Sequence, residues 1–403
     1  MAGLGVVVAL AGLGSHAADW PQWRGPDRTG ISKEGGWLPE AAVARVIWKA
    51  SVGSGYSAVA VVGERVVTMG NAPNEDTVWC LSATNGAVVW KKSYPCAAGS
   101  YPGPRVTPTV EGQRVYTFSR AGLLLCLDLA TGDTKWQVDL CKEAGAQPPQ
   151  WGFAGSPLMH ETLVIVNACA AGCAVDKATG RVVWKSAAQP SGYASPVAYT
   201  LSGQSCVAIF GAKGLTGVEA ATGTRVWDYA WETSYDVNAP DPIIEGSKVL
   251  ITSGYGRGAI LLDLAKVLQG HPTPAWPQDS KDLAAHFTTP VLWKGYLYGI
   301  DGNAGKGQLR CLDFATGAVQ WTEPSVGFGG LMLADGRLII LNEKGILLVA
   351  DAAPGGYKER LRSTVLGPTC WTMPVLANGR IYCRNEKGDL ACVELTPKPT
   401  AAP

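Results

Sequence analysis

The chain has 403 residues and a formal net charge of +1, with 34 Lys+Arg against 33 Asp+Glu. Charged residues make up 17% and apolar ones 47%, which excludes a disordered chain, and the even charge balance offers no broad basic surface for nucleic acid. Fifty Gly and 15 Trp call for many tight turns and for a packing role that Trp fills repeatedly.

In chain order, residues 4–13 form an apolar run. Small residues follow at Ser15, Ala17 and Ala18, before a polar start at Asp19. This predicts a secretory signal peptide over 1–18, although the basic leading segment is missing. A secreted or periplasmic protein follows. The run is too short to cross a bilayer, and no other segment reads as a transmembrane span. Residues 19–42 are predicted as a leader coil, 43–395 as the folded domain and 396–403 as a tail.

The domain repeats one phrase. CLSATNGAVVW ends at Trp90, CLDLATGDTKW at Trp136, AVDKATGRVVW at Trp184, GVEAATGTRVW at Trp227 and CLDFATGAVQW at Trp321. A stretched copy ends at Trp276, and a decayed one covers 349–359. The Trp spacings are 46, 48, 43, 49 and 45 residues, periods that belong to propellers and similar arrays. Upstream of each phrase stands a Pro-marked strand (RVTPTV, AGSPLM, YASPVA, VNAPDP, FTTPVL, WTMPVL), then a Gly turn, then a β-branched or aromatic strand. Four antiparallel strands in roughly 45 residues make one blade.

Eight inner strands are predicted, starting near Tyr56, Arg105, Phe153, Tyr193, Val237, Phe287, Phe328 and Trp371. The eighth blade ends without a Trp strand. RVIWKA at 45–50 resembles the other outer strands and has no strands of its own before it. It is predicted to complete the last blade, closing an all-β, eight-bladed ring and removing its exposed edges.

Within the phrase, Asp128, Asp176, Glu219 and Asp313 are expected to accept turn N–H groups. Gly at 86, 132, 180, 223 and 317 supplies positive φ. The tryptophans Trp48, Trp90, Trp136, Trp184, Trp227, Trp276 and Trp321 are expected to pack against the next blade. A Trp-lined ligand site is the rival reading, and it fails because the outer strand lies far from the central channel. Of the 11 Cys, Cys80, Cys126, Cys311 and Cys392 share one repeated position and read as small core residues, as do Ala174 and Gly217 there. Cys169 with Cys173, and Cys96 with Cys141, could form bridges in an exported protein, with connectivity open.

The pattern A-x-D-x-x-T-G-x-x-x-W resembles the tryptophan-docking repeat of the pyrroloquinoline-quinone (PQQ)-like eight-bladed propellers, from about residue 43 to 395. DWPQWRGPDRTGIS at 19–32 looks like the leader that precedes the first blade in many exported members. The resemblance implies that it crosses the ring with Trp20, Trp23 and Arg24 as anchors. Two functional classes share the superfamily. One is quinoprotein dehydrogenases of alcohols or sugars, for which the resemblance implies PQQ and calcium as cofactors. The other is non-enzymatic members, such as the outer-membrane assembly lipoprotein of the β-barrel insertion machinery, which bind partner proteins.

The residues themselves predict no cofactor. The chain lacks the adjacent-cysteine pair that the resemblance would place near PQQ, a CxxCH haem motif and any ligand-like His spacing. The best oxygen cluster for calcium is Glu232, Asp236, Asn238 and Asp241, weighed against a solvated loop acid facing the channel. Tyr56, Arg105, Phe153 beside Ala154, Tyr193, Val237, Phe287, Phe328 and Trp371 occupy equivalent positions and should ring one end of the channel. With Asp236 and Asp241 they are the candidate site for a protein or small-molecule ligand, unless they only plug the channel. Hairpin-tip cations such as Arg120, Lys213, Arg257, Lys344 and Lys387 stand on this face or the opposite one. The expectation is a monomeric binding or assembly scaffold without catalysis, with no metal and no nucleic-acid partner. A PQQ-dependent oxidoreductase is the alternative.

Overall fold

The structure, a computed structural model, describes residues 18–268, 270–277 and 279–398. All but the last residue of the predicted signal segment lies outside them, as does most of the predicted tail. Eight sheets succeed one another along the described chain, each built on four antiparallel strands, and the seventh carries a fifth, parallel strand. Blades 1 to 6 occupy 60–95, 109–139, 158–185, 197–230, 243–274 and 291–323, and blades 7 and 8 begin at Gly329 and Val375. Blade 2 is typical: Thr109–Glu111 and Arg114–Phe118 lead to Leu123–Asp128 and Thr134–Asp139. The second and third strands of the blades are almost wholly buried, the outer ones half-exposed. That gradient is the one expected of sheets standing radially around an axis.

The ring closes as the sequence predicts. Ala42–Ser51 is the outer strand of blade 8, antiparallel to Asp389–Pro397 from Ala42 opposite Pro397 to Ser51 opposite Asp389. No blade is left with an unpaired third strand at the meeting of the chain ends.

The turn chemistry follows the side chains. Asp128 Oδ1 accepts from the N–H groups of Ala130 and Thr131 at 2.9 and 3.2 Å, and Asp176 does the same for Ala178 and Thr179. Gly180, at φ 74°, sits so tightly under Trp136 that a Cβ would lie 2.6 Å from the ring. Trp136 Nε1–H donates to Lys177 O of the same turn at 3.0 Å. Each such Trp thus lies on the turn of the following blade. Trp48 donates to Ala83 O, Trp90 to Leu129 O, Trp184 to Ala220 O, Trp276 to Phe314 O and Trp321 to Ala353 O.

Two junctions differ. Trp227 faces the stretched turn of blade 5, which has no matching Gly, and donates instead to Tyr199 Oη of its own blade at 2.8 Å. In blade 7, Leu361 stands at the Trp position, opposite Val349. A feature the sequence did not reveal is a register shift beside these outer-strand positions. Cys126 pairs with Trp136 while Leu127 pairs with Thr134, leaving Lys135 as the extra residue of a bulge. A small buried residue stands opposite Trp48, Trp90, Trp136, Trp184, Trp227 and Trp321, namely Cys392, Cys80, Cys126, Ala174, Gly217 and Cys311, whereas Trp276 lies beside Leu261.

All 11 cysteines are free thiols. Burial, and then the nearby Asp76 carboxylate, push the Cys96 thiol up to about 12, and its Sγ meets Ala97 O at 3.9 Å. It does not pair with Cys141, whose Sγ meets Ala121 O at 3.4 Å. Cys169 and Cys173 are both buried and close enough to influence each other electrostatically, but they are not bridged.

Candidate functional site

The site is assembled from the leader upward. Residues 18–36 run across one end of the channel and touch the inner edge of every blade. Trp20 bridges Val61 of blade 1, and Pro21 O accepts from Val110 of blade 2. Arg28 donates to Pro157 O and Pro196 O of blades 3 and 4. Trp23 Nε1–H donates to Asp241 Oδ2 of blade 5 at 2.6 Å. Arg24 donates to Thr289 O and Pro290 O of blade 6 at 3.1 and 3.0 Å. Ile31–Ser32 adds a short parallel strand to blade 7. Glu34 accepts the N–H groups of Asn378 and Gly379 of blade 8 at 2.6 and 2.8 Å.

This explains Asp241, the acid at a position usually apolar. It is no solvated loop acid: 4% exposed, it accepts from Ser195 N–H at 2.7 Å and Trp23 Nε1–H, and faces Arg24 at 4.0 Å. Burial pushes its carboxyl up from the ordinary range, and the guanidiniums of Arg24 and Arg28 pull it back. Burial lowers both arginines to about 10.

Above the leader a cavity of about 270 Å³ opens. Trp23, Asp241, Ser156, Ser195 and Thr372 line it together with Tyr56, Arg105, Tyr193, Phe287 and Trp371. The sequence-predicted ring is therefore largely brought together, with Ala154 and Val237 also on the wall. Two members are not. Phe153 and Phe328 are both 0% exposed. Phe153 packs on Phe118 at 4.8 Å between ring centroids and Phe328 on Phe287 at 5.0 Å. In blade 3 the small Ala154 holds the channel position, so the large neighbour turns into the core. Asp236 lies outside the wall, paired with Lys213 at 2.8 Å.

The proposed calcium cluster does not converge. Asn238 is buried and spent on Gly211 O, Ala212 O and Trp231 O, with its own oxygen accepting from Thr233 and Ser253. Glu232 is exposed. Among the described residues, these side chains do not fit a cation.

The rim adds aromatics that the sequence reading missed: Tyr101, Trp151, Tyr235, Tyr255 and His286. Tyr101, Trp151, Tyr235 and His286 sit in irregular connections between blades, and Tyr255 in the turn between the second and third strands of blade 5, where no repeat position marks them. Together with the wall they form a nearly continuous circle. Tyr101 packs on Trp371, Trp371 on Phe287, Phe287 on His286, His286 on Tyr255, Tyr255 on Tyr235, Tyr235 on Trp151 and Trp151 on Tyr193, with centroids 4.6–6.1 Å apart. Arg105 stands 5.4 Å over the ring of Tyr56. Burial raises Tyr56 and Tyr193 to about 12, lowers His286 to about 4 and, with Arg120 nearby, lowers Arg105 to about 10.

With this geometry in view, the chain was compared with known proteins. It matches the family model described as "Outer membrane protein assembly factor BamB" over residues 74–323 and 305–396. The chain belongs to that family. Within the BamB family, the assembly factor of Moranella endobia is 22% identical over 299 residues, 72% of this chain and 74% of its own length. The crystal structure of BamB from Moraxella catarrhalis aligns with a TM-score of 0.64 at 15% identity, covering 89% of this chain and 99% of that one. The quinohemoprotein alcohol dehydrogenase of Comamonas testosteroni aligns with a TM-score of 0.70 at 13% identity, covering 96% and 81%. Both structural likenesses speak to the fold. The BamB-type propeller is what the two classes share.

Proposed function

We propose that this protein is an exported, periplasmic scaffold in outer-membrane protein assembly. It holds a partner or ligand at the open mouth of the channel and performs no chemistry of its own. Family membership over most of the chain carries the assembly part of the reading. The non-catalytic part is supported by the cavity's titratable groups. General acid–base catalysis favours a group poised near neutral pH. His286 is lowered to about 4, Tyr56 and Tyr193 are raised to about 12, and Asp241 is engaged by the leader. Among the described residues, no helix is long and apolar enough to cross a membrane.

The test has two arms. Titration with PQQ and Ca²⁺, read by absorbance and thermal shift and followed by a dye-linked alcohol or aldose assay, should give neither a shift nor turnover. Saturable PQQ binding with turnover would replace the scaffold reading with a quinoprotein oxidoreductase. Capture of outer-membrane assembly partners should be weakened by Tyr193→Ala with Trp371→Ala while the melting curve keeps its cooperativity. Unchanged capture would remove the channel mouth as the contact.

A further inference from the structure

The rim tyrosines are held unusually. Tyr101, Tyr235 and Tyr255 adopt φ of 52°, 60° and 56°, a left-handed backbone that is a genuine outlier for a bulky residue. Most other left-handed non-glycine positions are the Asn, Asp, Ser or Glu of hairpin turns and short loops. Such conformations persist where the surrounding structure enforces them, and they cluster at ligand clamps. Here Tyr101 and Tyr255 line the mouth, and Tyr235 packs behind them on Trp151 and Tyr255. Tyr101 and Tyr235 remain 54% and 64% exposed although packed on Trp371 and Trp151.

The charges below the rim do not balance. Arg105 donates to Gly103 O at 3.2 Å and Tyr101 O at 3.1 Å, which uses two of a guanidinium's five N–H donors. Among the described residues no carboxylate pairs with it, whereas Arg24 has Asp241. In the floor Arg24 and Arg28 share the carboxylate of Asp241, while Arg105 and Arg120 have only the buried Asp76 nearby, whose own carboxyl burial pushes up toward the neutral form. Burial, and then the neighbouring Arg120, lower the basicity of Arg105, and Asp76 only partly opposes them. Trp371 Nε1 is buried without an acceptor. The rest of the wall is mostly apolar ring surface, and the volume lies near the low end of small-ligand pockets, roughly 300–1,000 Å³.

We propose that the cavity is a binding site for a compact carboxylate with an aromatic or branched apolar body. Arg105 holds the carboxylate, the ring of Trp371 packs against the apolar body, and the rim tyrosines close over it. The same chemistry has two sources, a free small acid or the C-terminal residue of a peptide chain. The inference rests on the channel mouth being the binding face and names what that face recognises.

Isothermal titration of the full chain separates the outcomes. The probes are 3-phenylpropionate, its amide, and the tripeptide Gly-Gly-Phe with a free or an amidated C-terminus. The acid forms should bind at least tenfold more tightly than the amides. Arg105→Gln should lose at least tenfold for the acid forms with an unchanged far-UV spectrum and melting temperature. Arg105→Lys should recover part of the loss. A tighter free acid assigns the site to a small molecule, and a tighter free-ended peptide assigns it to a chain terminus. The proposal is overturned if amide and acid bind within twofold of each other, if Arg105→Gln binds as the parent does, or if no acid form binds at concentrations on the order of 1 mM. Should the parent and Arg105→Gln capture assembly partners equally while no acid binds, this inference fails and the scaffold reading stands. Acid binding without partner capture would do the opposite, upholding the carboxylate site and removing the scaffold role.

Discussion

At the scale of single residues, the tryptophans and His286 make opposite demands on their surroundings. Trp136 buries its ring against the next blade, stacks its flat face on Gly180 and satisfies its N–H on Lys177 O. Trp136→Ala removes all three at once and should cost about 3–5 kcal/mol in a urea melt. Near wild-type stability would mean that the junction is held elsewhere. Gly180→Ala attacks the same contact from the other side, since its Cβ would enter the ring at a φ that alanine resists. His286, by contrast, is half-buried at the cavity and held neutral, its pKa lowered from 6.5 to about 4 by desolvation. Between those two values the unfolded chain takes up a proton that the native protein refuses. Stability therefore falls as pH drops from about 6.5 towards 4, by about 1–3 kcal/mol after allowance for water in the cavity. His286→Gln has no such proton to take up. Its stability should vary less than the parent's across this window, and denaturant melts at pH 7, 5.5 and 4.5 will read the difference.

At the scale of elements, the leader is a strap with one two-residue strand, Ile31–Ser32, and its worth depends on Asp241. Asp241→Ala would leave Arg24 and Arg28 buried without their carboxylate, and Trp23 and Ser195 without an acceptor. A loss of about 3–5 kcal/mol is expected. Limited proteolysis should then cut within 18–36 while the blades stay resistant. A double-mutant cycle with Trp23→Phe should be less than additive, because both changes break the same bond.

The leader also marks the border of what sequence could deliver. The blades were legible because their signals are local: alternation with period two, a Gly turn at fixed offset, and one Trp per repeat. The closing strand was legible because the chain ends matched in kind. The leader's partners lie far off in the chain, Asn378 being 359 residues from the Asp19 it donates to, and no spacing rule reports them. The same holds for Asp241, which looked like a solvated acid until Trp23 and Arg24 were placed against it. The channel ring was legible only as a set of equivalent positions. Whether the aromatic at such a position faces the channel or the core depends on its neighbour, as Ala154 displacing Phe153 illustrates. Tyr101 and Tyr235 lie in connections between blades and Tyr255 in a hairpin turn, so none had a strand register to betray it.

At the scale of the whole molecule, closure joins the two ends of the chain, and Arg384 sits at that seam. It is 1% exposed and donates to Ser57 O at 2.8 Å, Thr68 Oγ1 at 3.0 Å and Gly53 O at 2.9 Å, all from blade 1 or its approach. Among the described residues it has no carboxylate partner, and burial lowers its pKa to about 9. The backbone adds Val52 N–H to Gly388 O and Gly55 N–H to Glu386 O, both at 2.9 Å, and Trp48 lies over the turn at Ala83. Blade 8 is thus fastened to blade 1 by polar groups, whereas the outer rim between blades 4 and 5 lacks the Trp-to-turn bond. Arg384→Met keeps the volume but leaves buried carbonyls without a donor, which should cost about 2–5 kcal/mol. If the seam is a separate cooperative unit, the cost will be local. Hydrogen exchange should quicken in Ala42–Ser51, Arg65–Ala72 and Asp389–Pro397 while Leu163–Val166 and Gln204–Gly211 on the far side keep their protection. Uniform acceleration across all eight blades would mean instead that the ring opens only as a whole, and that the seam is no weaker than any other junction.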